Sequence, residues 1–170
     1  MNNKKSSNKS NFIVKAGLIG AIYAALTMSL PFLSYGSVQL RVSEALTILP
    51  LFYPEAVIGL FVGCLISNII GNGILDVIFG SLATLVSAIL TYIVGKKIKN
   101  DNLKFIVGGF FPVIINAIVI PFTYLMITEL PSLYWLNFLT VFIGQFLAVY
   151  LFGTVLYISI KRIKSKSFVK

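Results

Sequence analysis

The 170-residue chain has no histidine, one cysteine and only five acidic residues against fourteen basic ones. The absence of histidine removes imidazole acid–base catalysis and histidine metal ligation. The lone cysteine, Cys64, excludes an intramolecular disulfide and any multi-cysteine zinc or iron–sulfur site. It lies in an apolar run and reads as a small buried hydrophobe. There is no glycine-rich phosphate loop, so the chain cannot energise itself with ATP. No serine has a histidine base, and no acidic cluster suits a metal, so an intramembrane enzyme is not expected. Charge is scarce overall. Only 11% of residues are charged and 58% are hydrophobic, where a soluble domain carries about 25% charged residues. Such a chain cannot cover a water-facing surface, and the fold class is an all-α integral membrane protein.

The charge that exists is clustered. Lys4, Lys5, Lys9 and Lys15 lie near the amino terminus. Lys96, Lys97, Lys99 and Lys104 form a second group, and Lys161, Arg162, Lys164, Lys166 and Lys170 a third. Each group flanks a long apolar segment, so the net charge of +9 follows the positive-inside rule and calls for no nucleic-acid partner. The apolar part of the first segment is longer than a signal-peptide core and reads as a retained span. The spacing predicts six membrane helices, at about 12–34, 41–52, 54–71, 74–95, 105–128 and 133–160. Residues 1–11 read as a disordered cytoplasmic tail, 12–163 as one membrane domain and 164–170 as a basic cytoplasmic tail. Six spans put both termini and the central lysine loop in the cytoplasm of a cell-membrane protein. The outer side then receives the turns near Gly36, at Gly71–Gly73 and at 129–132.

Pro50 and Pro54 break the apolar region in the middle of "PLFYPE". The second helix is then only about 18 Å long at α-helical rise, short of a hydrocarbon core of about 30 Å. It is expected to be tilted or to span only part way, shielded by its neighbours. Pro112 and Pro121 are expected to interrupt the fifth helix.

Polar residues inside a membrane are costly and therefore informative. Arg41 and Glu44 begin the second helix at the outer face. Asn68 lies near the outer end of the third, and Asp76 opens the fourth. Gly80 and Thr84 follow one and two turns below Asp76, with Gly80 leaving room for a ligand. Asn116 and Gln145 lie roughly 11 and 12 residues into their helices, which is mid-membrane depth. Together these eight residues can outline a cavity open to the outside. Each also has a plainer reading. Arg41 and Glu44, three apart, can pair along the helix surface, and Asp76 can serve a helix dipole. Asn116 and Gln145 can be interhelical hydrogen bonds, and Asn68 can mark a helix end. No metal site or cofactor is expected.

In the first span, "GLIGAIYAA" places Gly17, Ala21 and Ala25 four residues apart, with Gly20 and Ala24 on the adjacent stripe. Small residues at this spacing allow close helix approach, either within the bundle or to another membrane protein.

The stretch "VQLRVSEALTILPLFYPEAVIGLFVGCLISNIIG" followed by "ILDVIFGSLATLVSA" resembles the QueT family of queuosine-precursor transporters, which are substrate-binding S components of energy-coupling factor (ECF) transporters. The likeness is strongest over about 17–88, and "RVSEAL" and "DVIFGSLAT" are its most specific segments. It implies a six-helix protein that captures a deazaguanine base, such as queuine or its aminomethyl precursor, from outside. It also implies partners: a transmembrane coupling subunit and two cytoplasmic ATPases. On that resemblance, Gly17, Ala21 and Ala25 dock on the coupling subunit. Such a ligand suits the residues. A carboxylate such as Glu44 or Asp76 can accept two ring N–H bonds, and Asn and Gln donate and accept. The second carboxylate would pair the side-chain amine, and Arg41 would hold a carboxylate charged or donate to the ring carbonyl. Two other readings compete: a stand-alone proton-coupled carrier or channel for a small polar solute, with Glu44 and Asp76 as proton sites, and a structural membrane partner whose polar residues act only as glue.

Overall fold

The computed structural model describes residues 2–34, 40–128 and 130–167. The turn expected at Gly36, and Glu129 of the turn expected at 129–132, lie outside the described residues. Those residues form six helical segments. Helix α1 is Asn2–Ser29, followed by the single turn α2, Pro31–Ser34. A 3₁₀ helix, Val42–Leu51, precedes α3, Glu55–Gly71. A π segment, Asp76–Gly80, leads into α4, Ser81–Lys97. Helix α5 is Asp101–Thr128. The last segment is α6, Ser132–Phe146, a second π segment, Leu147–Phe152, and α7, Gly153–Ser167. Four of these helices are long and apolar enough to cross a membrane, and the two at 42–51 and 55–71 are shorter apolar helices.

Several boundaries differ from the sequence expectation. Helix α1 begins at Asn2 rather than near residue 12. No glycine or proline occurs before Gly17, and a helix once nucleated adds residues at little cost. The segment after Arg41 is wound as 3₁₀ rather than α. At about 2.0 Å per residue its ten residues reach about 20 Å, against about 15 Å for an α-helix. The tighter winding therefore recovers part of the length that the two prolines remove. Helix α5 is continuous through Pro112 and Pro121. A proline at 112 has no N–H for the Gly108 carbonyl four residues back. The Thr91 hydroxyl of α4 donates to that carbonyl instead, at 2.9 Å.

The bundle is inverted relative to a soluble protein. Ile13, Ile74, Trp135 and Val155 face outward, while Arg41, Glu44, Asn68 and Gln145 are buried. This is the pattern of a multi-pass membrane protein. Helices α1 and α3 touch backbone to backbone. A Cβ on Gly63 would sit 2.6 Å from the Gly20 carbonyl, and one on Gly59 would sit 2.6 Å from that of Ala16. Such an approach requires glycine.

Described members of each basic group gather at one end. Lys15 pairs with Glu55 at 3.2 Å. Lys164 lies 5.1 and 4.8 Å from the ring centres of Phe52 and Tyr53. Lys161 and Lys104 reach Asp101 at 2.8 and 3.7 Å. Above this end an apolar core joins Ile48, Leu51, Val94, Val113, Val149 and Tyr157. Arg41, at the opposite end of the 3₁₀ helix, belongs to the other half of the bundle.

Candidate functional site

The site is built where helices depart from α geometry. Arg41 caps the 3₁₀ helix that carries Glu44, Asp76 opens the first π segment and Gln145 lies just before the second. Such windings rotate side chains off the usual stripe and recur at functional positions.

Glu44 is the pivot. It is 1% exposed. Its Oε1 accepts a hydrogen bond from the Tyr23 hydroxyl of α1 at 2.5 Å. The Gln145 amide lies within interaction range of the same carboxylate. The Arg41 guanidinium is in electrostatic reach of both Glu44 and Asp76, and its Nε donates to the Ser34 carbonyl at 3.3 Å. A hydroxyl pair, Thr27 and Ser43 at 2.7 Å, closes the α1 side. Asp76 Oδ1 accepts from the Thr123 hydroxyl of α5 at 2.8 Å. Arg41, Glu44, Asp76 and Gln145 thus share one polar cluster inside an apolar bundle.

The other expected residues take different places. Asn68 is fully buried and donates to the Asp76 backbone carbonyl at 3.0 Å. The Asn72 amide lies between Asn68 and Arg41: in one orientation its nitrogen donates to Asn68 Oδ1 at 3.1 Å, and in the flipped one its oxygen accepts from Arg41 Nη2 at 2.6 Å. Gly80 does give space, but to protein: a Cβ there would lie 3.2 Å from Asn68 Nδ2 and 3.4 Å from Ile120 Cδ1. Thr84 donates to the Gly80 carbonyl at 3.1 Å and approaches Cys64 Sγ to 3.3 Å, so it belongs to the α3–α4 seam. Asn116 is buried and returns its amide to the Pro112 carbonyl of its own helix at 3.0 Å.

Sequence reasoning missed Tyr23, Asn72 and Thr123. Tyrosine counts as apolar in a composition scan, yet a buried tyrosine hydroxyl needs a partner. The signal was a tyrosine among small residues of the first span. Asn72 was read only as part of a turn.

On α1 the two small-residue stripes separate. Ala16, Gly20 and Ala24 are buried toward α3, whereas Gly17, Ala21 and Ala25 are exposed. Beside Gly17 a shallow groove of about 220 Å³ is lined by Phe12, Ile13, Ala16, Ile58, Gly59 and Val62.

A helical bundle with an apolar exterior and an interior cluster of charged and amide groups is a multi-pass membrane protein. Residues 13–162 match the family described as QueT transporter. The chain belongs to that family, which is one of transporters and not of enzymes. A relative from Lactococcus lactis subsp. cremoris (strain MG1363), "Queuosine precursor transporter QueT", is 39% identical over 100 residues, covering 58% of this chain and 58% of the relative. The aligned region thus spans under two thirds of that relative's length. No solved structure matches the chain.

Proposed function

We propose that the chain is the substrate-binding S component of an ECF-type, ATP-driven importer, and that it captures a queuosine precursor from outside the cell. The observation that carries this reading is the convergence of buried Arg41, Glu44 and Gln145 on one polar cluster, with half-buried Asp76 in electrostatic reach of Arg41. Membership in the QueT transporter family and the relative's description as a queuosine precursor transporter support the substrate. A deazaguanine base offers N–H donors beside a carbonyl acceptor. Acids and amides shielded from water bind such an edge strongly. Arg41, Glu44, Asp76 and Gln145 form the contact set, with Asn68, Gly80, Thr84 and Asn116 supporting the walls.

The six-segment bundle sits in the plasma membrane, with residues before 12 and after 163 on the cytoplasmic side. The gathering of Lys15, Lys96, Lys104, Lys161 and Lys164 at one end supports this orientation. The exposed stripe of Gly17, Ala21 and Ala25 docks on a transmembrane coupling subunit, which two cytoplasmic ATPases drive.

Reconstitution separates this from a self-sufficient carrier. Vesicles holding this chain with its coupling module should accumulate a radiolabelled deazaguanine base only when ATP is supplied. Uptake by the chain alone, driven by a proton gradient, would show that it is a carrier and not an S component.

A further inference from the structure

We infer that the site recognises its base through two separate acceptors, Glu44 Oε2 and Gln145 Oε1, with Tyr23 fixing which carboxylate oxygen faces the ligand. The inference rests on the proposed transport reading and refines it. Among the described residues, five side-chain polar atoms are buried without a hydrogen-bond partner, Ser34 Oγ, Glu44 Oε2, Glu55 Oε2, Asn137 Nδ2 and Gln145 Oε1, and the second and the last lie on residues that approach each other. Glu44 and Gln145 are 1% and 5% exposed. A buried acceptor left unpaired is costly and rare in a native protein. Both belong to the same polar cluster, since Gln145 reaches the Glu44 carboxylate.

The pattern limits how a ligand binds. Tyr23 occupies Glu44 Oε1, and Thr123 occupies Asp76 Oδ1. Neither carboxylate offers two free oxygens for a forked bond to one ligand edge. The cluster instead presents one carboxylate oxygen and one amide oxygen, so it selects a solute with two adjacent N–H donors. On a guanine-type ring these are the ring N–H and the 2-amino group. An anionic solute, or a base lacking the 2-amino group, leaves one acceptor buried and unsatisfied. Tyr23 does not touch the ligand in this arrangement. It is a positioning residue that holds the carboxylate in one rotation.

The test compares two ligands, an aminomethyl-deazaguanine and its analogue lacking the 2-amino group, by calorimetric titration of the purified full chain in detergent. Wild type should prefer the 2-amino base by about tenfold or more. Glu44→Gln turns an acceptor into a donor, and Gln145→Leu removes the other acceptor. Each should shrink that preference to about threefold or less. Tyr23→Phe frees Oε1 and should shrink it part way, an effect that a merely structural tyrosine would not have. Equal binding of the two bases by wild type, or a preference unchanged in all three variants, would overturn the inference while leaving the transport reading intact. Failure of wild type to bind either base would overturn both. Should Glu44→Gln not fold, the wild-type comparison and Gln145→Leu still decide the matter.

Discussion

The Thr91–Gly108 hydrogen bond yields a prediction whose size follows from geometry. Pro112 cannot donate to the Gly108 carbonyl, and Thr91 Oγ1 supplies the missing donor at 2.9 Å from a fully buried position. Thr91→Val keeps the volume but leaves that carbonyl without its donor. An unsatisfied buried acceptor costs about 1–3 kcal/mol in water-soluble proteins. Measured interhelical bonds in membranes average nearer 0.6 kcal/mol. The expected loss is therefore about 1 kcal/mol, or roughly 2–4 °C in Tm for a chain of this size. Pro112→Ala restores an N–H that can reach Gly108 along the helix. In that background Thr91→Val should cost only about 0.3 kcal/mol or less. Thermal unfolding of the four proteins in one detergent, followed by circular dichroism, gives the cycle. An equal loss in both backgrounds would refute the idea that Thr91 substitutes for the donor proline lacks.

Other perturbations separate seam, docking face and surface. Gly63→Ala drives a Cβ to within 2.6 Å of the Gly20 carbonyl and 2.9 Å of Tyr23 Cβ; it should destabilise by about 1–3 kcal/mol and, through Tyr23, weaken base binding, which melting and titration would show together. Ala21→Trp on the exposed stripe should leave binding within about twofold of wild type yet abolish ATP-driven uptake in reconstituted vesicles. Asp101→Asn removes the partner of Lys161 and Lys104, but the carboxylate is 44% exposed, so the loss should stay below about 1 kcal/mol and fade in high salt.

The segment count could be read from Pro50, Pro54 and the three lysine groups, because breakers and charge act locally. The windings could not. An all-round apolar helix gives no periodicity that distinguishes 3₁₀, α and π geometry, so the positions of Glu44, Asp76 and Gln145 relative to one another were not legible. Their costliness in a membrane was enough to nominate them. Gly80 and Thr84 share a helix stripe with Asp76, and that stripe turned out to pack on Asn68 and Cys64 of α3. The continuity of α5 through Pro112 depends on a side chain from another helix, which no local rule reveals.

The central claim is that the buried cluster around Glu44 binds a deazaguanine base. Equilibrium titration of the purified wild-type chain with an aminomethyl-deazaguanine tests it most directly. Saturable one-to-one binding is expected, weakened by about 1–3 kcal/mol in Glu44→Gln. Saturable binding of the same strength in wild type and Glu44→Gln, or none in wild type, would contradict it.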